Sequence, residues 1–176
     1  MDIEKLKFPI GQYLAPALIT DEQIKSWIGE ISMLPSELRK ATENLSKQQL
    51  DTPYRPDGWT LRQVIHHLAD SHMNSYIRFK LAITEENPAI RPYFEERWAE
   101  CEEAKNGDID LSLSILDALH KRWAAFLGSL KASDWDRTFF HPESKRTSTL
   151  KEVLGLYAWH GKHHLNHILV GSKTKI

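Results

Sequence analysis

The chain has 176 residues, a length typical of one compact domain, so we expect a single domain over residues 1–176. Lysine and arginine number 23 and aspartate and glutamate 24, and a net charge of -1 gives no long-range attraction to nucleic acid. Hydrophobic residues make up 41%, and no apolar run approaches the roughly 18 residues needed to cross a bilayer. The composition therefore argues against a nucleic-acid-binding protein and against a membrane protein.

The single cysteine, Cys101, excludes an internal disulfide and fits a reducing compartment. Glutamates on both sides of it offer no positive charge to stabilise a thiolate, so Cys101 is a poor candidate for a nucleophile. The first residues lack the charged start and long apolar stretch of a signal peptide. We therefore expect a cytoplasmic protein.

Three capping boxes of the form Ser/Thr-x-x-Glu/Gln predict where helices begin. The first predicts a helix over residues 21–45, which we expect Pro35 to break into two pieces. The second predicts a helix over residues 61–83, and the third predicts one over residues 150–170 that stops at Gly171. The boxes are Thr20-Asp21-Glu22-Gln23, Thr60-Leu61-Arg62-Gln63 and Thr149-Leu150-Lys151-Glu152.

A leucine-rich segment with helical spacing predicts a fourth long helix over residues 109–130, capped by Asp110 or Ser112. Residues 93–105 are charged and fit either a short helix or a loop, and residues 136–148 are expected to be irregular. Four long helices with connectors of moderate length predict an all-α four-helix bundle. Functional sites in such bundles are usually built between facing helices.

Seven of the nine histidines fall on the second and last of these helices. On a helical wheel, His67 lies beside one edge of the apolar stripe of its helix, whereas His66 points away from the stripe toward solvent. His160 and His164 lie together along one edge of the stripe of the last helix. Gly161, near the middle of that stripe, permits the close approach of a neighbouring helix.

The four-residue spacing of His160 and His164 places two rings side by side, as in helical two-histidine metal sites. His67 could complete a set of three ligands that leaves a coordination position open. The pattern has a plain alternative, because histidine pairs at this spacing are common and His163 with His167 repeats it. The residues alone leave a metal site and a chance pairing about equally open.

The remaining histidines have simpler explanations. His72 points inward and is interpreted as a hydrogen-bonded core residue or as a contact to a ligand beside Ser71. His66, His120 and His163 are interpreted as surface groups or as supports for the ligands.

Two long motifs resemble those of a known family. The segment GWTLRQVIHHLADSH over residues 58–72 resembles the second helix of the DinB-like superfamily, and YAWHGKHHLNHI over residues 157–168 is similar to its last helix. The segment FFHPE over residues 139–143 also matches. The likeness extends in order over most of the chain and is greatest to the YfiT branch, described as metal-dependent hydrolases and similar to bacillithiol transferases.

The resemblance implies a DinB-like bundle with up-down-down-up topology and a homodimer. It also implies one divalent metal ion per chain, zinc or nickel, bound by His67, His160 and His164. These are the positions that the helical wheels favour.

Such a centre suits two reactions. In the first, the metal holds a small-molecule thiol as a thiolate that attacks an electrophile, which is S-transfer of a bacillithiol-like thiol. In the second, hydroxide from metal-bound water attacks an ester, amide or lactone. The resemblance favours thiol transfer, and no Gly-x-Ser-x-Gly motif offers a serine nucleophile instead. A metal-containing binding or stress-response module without turnover is a further alternative.

Residues that support the ligands or line the pocket are harder to predict. Gln63, Asp70, Ser71 and Asn74 share a side of the second helix with His67, and one of them could fix its tautomer. An ordinary polar helix face is an equally good explanation. His141 is expected at the pocket mouth on the resemblance alone.

Overall fold

Four long helices carry the fold, and shorter elements cover its ends. The computed structural model describes residues 2–173. No helix among these residues has the length and apolar character needed to cross a membrane. In chain order the elements are α1 (Ile3–Lys7), α2 (Asp21–Thr42), α3 (Lys47–Leu50), α4 (Leu61–Thr84), α5 (Glu95–Ala99), α6 (Glu102–Asn106), α7 (Ile109–Gly128), a 3-10 turn (Ala132–Asp136), β1 (Thr138–His141), β2 (Arg146–Thr149) and α8 (Leu150–Gly171).

The long helices pack as a bundle in which α2 and α4 each contact both α7 and α8. Helices α2 and α8 run parallel, because Trp27 lies against Gly155 and Leu34 lies against Gly161 one to two turns further along both helices. Helix α4 is parallel to α7 and antiparallel to α8. The contacts that fix these directions are His66–Ser112 and His72–His120 between α4 and α7, and His67–His164 and His72–Tyr157 between α4 and α8.

The helices therefore run up, down, down and up, as the resemblance implies, and the all-α bundle is confirmed. A parallel α4–α7 pair needs a long connection that returns the chain to the same end, and α5 and α6 occupy it. The segment 93–105, which the sequence left undecided, forms these two short helices and the link between them. Since α5 and α6 both pack on α4, the connection also covers the side of α4.

The three predicted capping boxes are all present, and α4 ends within one residue of its predicted end. A further box at Ser46, not predicted, opens the short helix α3. Helix α7 is capped by Asp108, whose side chain accepts a hydrogen bond from the backbone N–H of Asp110. The expectation that Asp110 or Ser112 caps this helix was wrong by one turn or less.

Pro35 does not break α2, which is continuous from Asp21 to Thr42. A proline in a helix removes the N–H that would bond to the carbonyl four residues earlier. That carbonyl, of Ile31, instead accepts a hydrogen bond from Nδ1 of His120 at 2.5 Å. The buried side chains of Leu34 and Leu38 keep both halves of the helix on the same core. A tertiary contact thus replaces the lost helical bond.

The segment 136–148 is not irregular as expected, because it contains an antiparallel hairpin of β1 and β2. Its strands have four residues each, too short for a period-two pattern to be recognised. Thr149 ends β2 and also caps α8, so the hairpin leads directly into the last helix.

The apolar core is divided into two clusters, and buried histidines lie between them. One cluster packs around Phe79, Trp123 and Leu154, and the other packs around Leu68 and Leu165. The bundle therefore encloses a polar layer at mid-height. Buried polar groups in such a layer need hydrogen-bond partners to avoid a large desolvation penalty.

Two glycines inside long helices test the packing between α2 and α8. A Cβ at Gly155 would lie 2.7 Å from Tyr13 Oη and 2.8 Å from the Trp27 ring, whereas one at Gly29 has no heavy atom within 4 Å. We expect Gly29→Ala to raise the free energy of unfolding by about 0.5–1 kcal/mol. Gly155→Ala is expected to lower it by about 1–3 kcal/mol, since rigid aromatic rings must move. Urea unfolding of both variants checks this, and equal effects would contradict the close packing.

Candidate metal centre

Three histidines from two helices converge at mid-height of the bundle. One ring nitrogen from each of His67, His160 and His164 lies within 4.8 Å of the others. Helix α4 supplies the first, and the four-residue spacing on α8 supplies the other two on one face. The structure thus brings together the set that the sequence favoured.

The spacing of these nitrogens suits a divalent ion. Nε2 of His67 and Nε2 of His160 are 3.3 Å apart. Two nitrogens of a tetrahedral site with Zn–N distances of about 2.0–2.1 Å are separated by roughly 3.3–3.4 Å. Two unprotonated imidazole nitrogens at this separation repel each other unless a cation lies between them. The donor set and its geometry therefore fit a zinc-like ion.

Burial keeps the three imidazoles neutral. It lowers the pKa of His67 to about 4, with His167 adding a smaller effect in the same direction. Burial, followed by the neighbouring histidines, also holds the pKa values of His160 and His164 well below the usual value of imidazole. A neutral imidazole has one free lone pair, which is what a metal ion requires.

A chain of hydrogen bonds determines which nitrogen of His160 is free. A backbone carbonyl only accepts, so His120 must donate its Nδ1–H to Ile31 and accept at Nε2. His72 then donates from Nδ1 to His120 at 2.9 Å and accepts at Nε2 from Nδ1 of His160 at 3.2 Å. Nε2 of His160 is left as a lone pair facing His67. We call Ile31, His120 and His72 the proline-side relay, because Pro35 frees the carbonyl that starts it.

A second chain sets His164 in the same way. Nε2 of His167 lies 3.1 Å from the carbonyl oxygen of Lys7, at the end of α1, and therefore carries the proton that it donates. Nδ1 of His167 then accepts from Nδ1 of His164 at 3.3 Å. Nε2 of His164 remains as a lone pair. The tautomers of His160 and His164 are thus fixed by backbone carbonyls that act through other histidines. Metal-binding imidazoles are usually supported by such hydrogen bonds.

A second group of histidines satisfies the same distance criterion. His163, His164 and His167 have ring nitrogens within 4.8 Å of one another. This group shares His164 with the first, and His167 already uses both nitrogens in hydrogen bonds. His163 is stacked on Trp159, and its Nδ1 is buried without a partner among the described residues. The hydrogen bonds favour His67, His160 and His164 as the ligand set.

A cavity of about 600 Å³ opens on the His160 side of the cluster. This volume is within the range of small-molecule sites, which is about 300–1,000 Å³. The walls combine polar groups, including Ser71 and Tyr157, with the side chains of Phe94 and Leu156. The Ser71 hydroxyl donates a hydrogen bond to Tyr157 Oη at 3.4 Å. A small molecule therefore has a route to the face of His160.

The structure separates the other predicted pocket residues into two groups. Ser71 and His141 line the cavity, and His141 lies on β1. Gln63 is used elsewhere, because it completes the capping box of α4 and donates to the Ala99 carbonyl. Asn74 donates to the carbonyl of Asp70, and the two residues are absent from the walls of this cavity.

The expectation that His66 points toward solvent was wrong, whereas the position of His120 agrees with the alternative that it supports a ligand. His66 is 6% exposed rather than on the surface, because α7 packs on that side of α4 and Ser112 bonds to its Nδ1 at 2.7 Å. His120 is fully buried and belongs to the proline-side relay. His163 is also buried. The hydrogen-bonded core role expected for His72 agrees with its position, whereas no pattern within one helix could have suggested the relay, because its members lie on α2, α4 and α7.

Comparisons with known proteins identify relatives along the whole length. A family model described as the DinB superfamily matches residues 30–168. A protein of Bacillus mycoides is 56% identical over 94% of this chain and 95% of its own length, and one of Bacillus cereus is 57% identical over 93% of each. Both are named "putative metal-dependent hydrolase". The solved structure of YfiT from Bacillus subtilis, described as "a probable metal-dependent hydrolase with an unusual four-helix bundle topology", matches with a TM-score of 0.94 and 50% identity over 96% of this chain and 97% of that one.

The proline-side relay predicts an effect of residues that do not reach the metal. We expect His72→Phe and His120→Phe to weaken zinc binding about 10- to 100-fold, because the Nδ1–H of His160 loses its acceptor or its orientation. His66→Phe, which removes another buried histidine of α4 outside the relay, serves as the control. Competition with a chromophoric chelator measures the affinities, and unfolding curves show that the variants are folded. Equal affinities in all three variants would contradict the relay.

The neutral histidines also predict how the metal-free protein responds to acid. Since the pKa of His67 is about 4 when folded and near 6.5 when unfolded, only the unfolded chain gains its proton between these pH values. The free energy of unfolding should fall by about 1.4 kcal/mol per pH unit for each such group as the pH drops below 6.5. His163 and His167 also lower the free energy of unfolding as the pH drops. Asp70, with a pKa raised by burial to about 6, has the opposite effect and offsets the contribution of about one histidine. Urea unfolding of chelated protein from pH 7 to 5 checks this, and a flat profile would contradict it.

Proposed function

This chain belongs to the DinB superfamily, and from that premise we propose that it is a metal-dependent enzyme acting on small molecules. In this proposal one divalent ion, zinc or nickel, is bound by His67, His160 and His164. The supporting observation is the convergence of three neutral imidazoles beside a cavity large enough for a substrate. The names of the relatives from Bacillus mycoides and Bacillus cereus support the same class.

Within this class we favour transfer of a small-molecule thiol, of the bacillithiol kind, onto an electrophile. An ion held by these three neutral ligands would keep its full positive charge and would favour the deprotonated form of a thiol or of water. Among the described residues, no carboxylate is hydrogen-bonded to His67, His160 or His164. A thiol, with a pKa near 8.5, loses its proton far more easily than water, with a pKa of about 15.7, so it needs less stabilisation from a bound cation.

The chain's own residues would orient the two reactants. His160 presents its Nε2 at the inner end of the cavity because the proline-side relay holds its ring. Tyr157 accepts from Ser71, so its own hydroxyl proton is free to point into the cavity toward a reacting group. Phe94 and Leu156, both partly exposed, add apolar surface to the walls that could contact the carbon skeleton of a substrate. His141, which also lines the cavity, is proposed as a pocket residue.

Hydrolysis of an ester, amide or lactone is the second candidate. The names of the relatives favour it, and the same three ligands would serve to activate water. A binding module without turnover is the third candidate and predicts ligand retention without product.

Metal analysis combined with a conjugation assay tests the proposal. We expect purified protein to hold one divalent ion and to couple a thiol to an electrophile such as 1-chloro-2,4-dinitrobenzene. His160→Ala removes one ligand and should lower metal content and conjugation by more than about 100-fold. His163→Ala, which removes one of the two histidines found only in the second group, should keep the metal.

Each alternative has its own outcome in this experiment. Conjugation that survives chelation would refute the metal-dependent transfer. Ester hydrolysis without any thiol-dependent turnover would establish the hydrolase instead. Loss of the metal in His163→Ala but not in His160→Ala would move the site to the second group.

Two further expectations stay predictions. The homodimer and the cytoplasmic location follow from the resemblance and from composition, and sedimentation and fractionation of cells would test them.

A further inference from the structure

Arg78 is a buried cation without a partner. Its side chain comes from α4, is 9% exposed, and lines the same cavity as His160. Among residues 2–173, no carboxylate lies within salt-bridge distance of its guanidinium and no group accepts a hydrogen bond from it. A buried charge of this kind is costly unless an opposite charge or several acceptors meet it.

The other buried arginine of α4 shows what such a side chain normally does. Arg62 is 6% exposed, donates to Asp51 at 2.8 Å and donates to the carbonyl of Gly107 at 2.7 Å. Arg78 has the same degree of burial but keeps its five N–H donors unused. The difference between the two is that Arg78 faces a cavity.

A second donor in the cavity is also unused. The hydroxyl of Tyr93 is buried without a hydrogen-bond partner among the described residues and belongs to the same walls. Burial raises the pKa of Tyr93 by more than the nearby Ser71 hydroxyl lowers it, so the Tyr93 hydroxyl stays protonated and able to donate. Two unpaired donors on one cavity fit a ligand that carries acceptor oxygens.

We propose that Arg78 binds an anionic oxygen group, a carboxylate or a phosphate, of a substrate whose reacting atom lies at His160. This proposal rests on the proposed function only for the identity of the reacting atom. His72, which contacts His160, precedes Arg78 by six residues, or about 9 Å along the helix. The anionic group therefore lies several bonds from the reacting atom, on the order of 5–10 Å away after the reach of the arginine side chain is counted.

The acids near the cavity select where such a group binds. Glu95, Glu96 and Glu143 are exposed and line its outer part, so they repel an anion there and leave the inner guanidinium as the attractive point. Arg97, the other cation of the walls, is exposed, and its guanidinium lies over the Phe94 ring. Because Arg97 is exposed, solvent screens its charge more strongly than that of the largely buried Arg78.

A binding measurement that needs no turnover tests this site. S-methylglutathione and its diethyl ester share one skeleton and differ in their carboxylates, and neither has a free thiol. Calorimetry on metal-loaded wild type should show the acid binding about 10- to 100-fold more tightly than the ester. Arg78→Gln should remove this preference, Arg78→Lys should retain part of it, and Arg97→Gln should change it by less than about threefold.

Two outcomes overturn the proposal. The first is that wild type binds acid and ester equally, or binds neither. The second is that Arg78→Gln, shown by unfolding curves to be folded, keeps the preference for the acid. Selection of the carboxylate without any conjugation would refute the proposed transfer and support the anion site. The two hypotheses therefore fail separately.

Conjugation rates then identify which substrate carries the anion. Iodoacetate and iodoacetamide differ in one carboxylate, as do glutathione and its diethyl ester. A selective loss of kcat/KM in Arg78→Gln for iodoacetate places the anion on the electrophile, and a loss for glutathione places it on the thiol. An equal loss for charged and neutral members of both pairs would contradict anion binding and indicate a general structural role.

Discussion

The requirement that buried imidazoles stay neutral, each with one N–H and one lone pair, governs this structure. A neutral ring that donates at one nitrogen must accept at the other. In a row of hydrogen-bonded rings, the tautomer of the first ring therefore fixes the tautomer of every following ring. Both rows here begin at a backbone carbonyl, that of Ile31 or that of Lys7, and both end at a free Nε2 on α8. The tautomers that leave Nε2 of His160 and of His164 free are thus fixed without an ion. This reduces the reorganisation that metal binding requires.

This constraint explains two unusual features of the backbone. Pro35 lies in the middle of α2 because its missing N–H leaves the Ile31 carbonyl to His120. The short helix α1 ends where the Lys7 carbonyl meets His167, so an N-terminal element far from the cluster in sequence helps to orient it. The apolar clusters above and below exclude water from this layer, which strengthens its hydrogen bonds.

The up-down-down-up order provides the remaining parts of the site. Because α4 and α7 are parallel, a long connection must cross from one end to the other, and α5 within it forms part of the cavity wall. The hairpin before α8 places His141 on the same cavity. In the proposed function, the neutral histidines would form the reacting part of the cavity and the buried cation of Arg78 would form the part that recognises the substrate.

The sequence by itself determined the four long helices, their capping boxes and the faces of His67, His160 and His164, because these depend on spacing within one helix. It did not reveal that His66 is buried, since a helical wheel contains no information about the neighbour that covers a polar face. Nor did it reveal that Pro35 is accommodated by a bond from α7, or that Arg78, beside the cavity, has no partner within residues 2–173. These facts depend on which groups from distant segments meet, and only the tertiary structure decides which polar atoms are paired and which remain free.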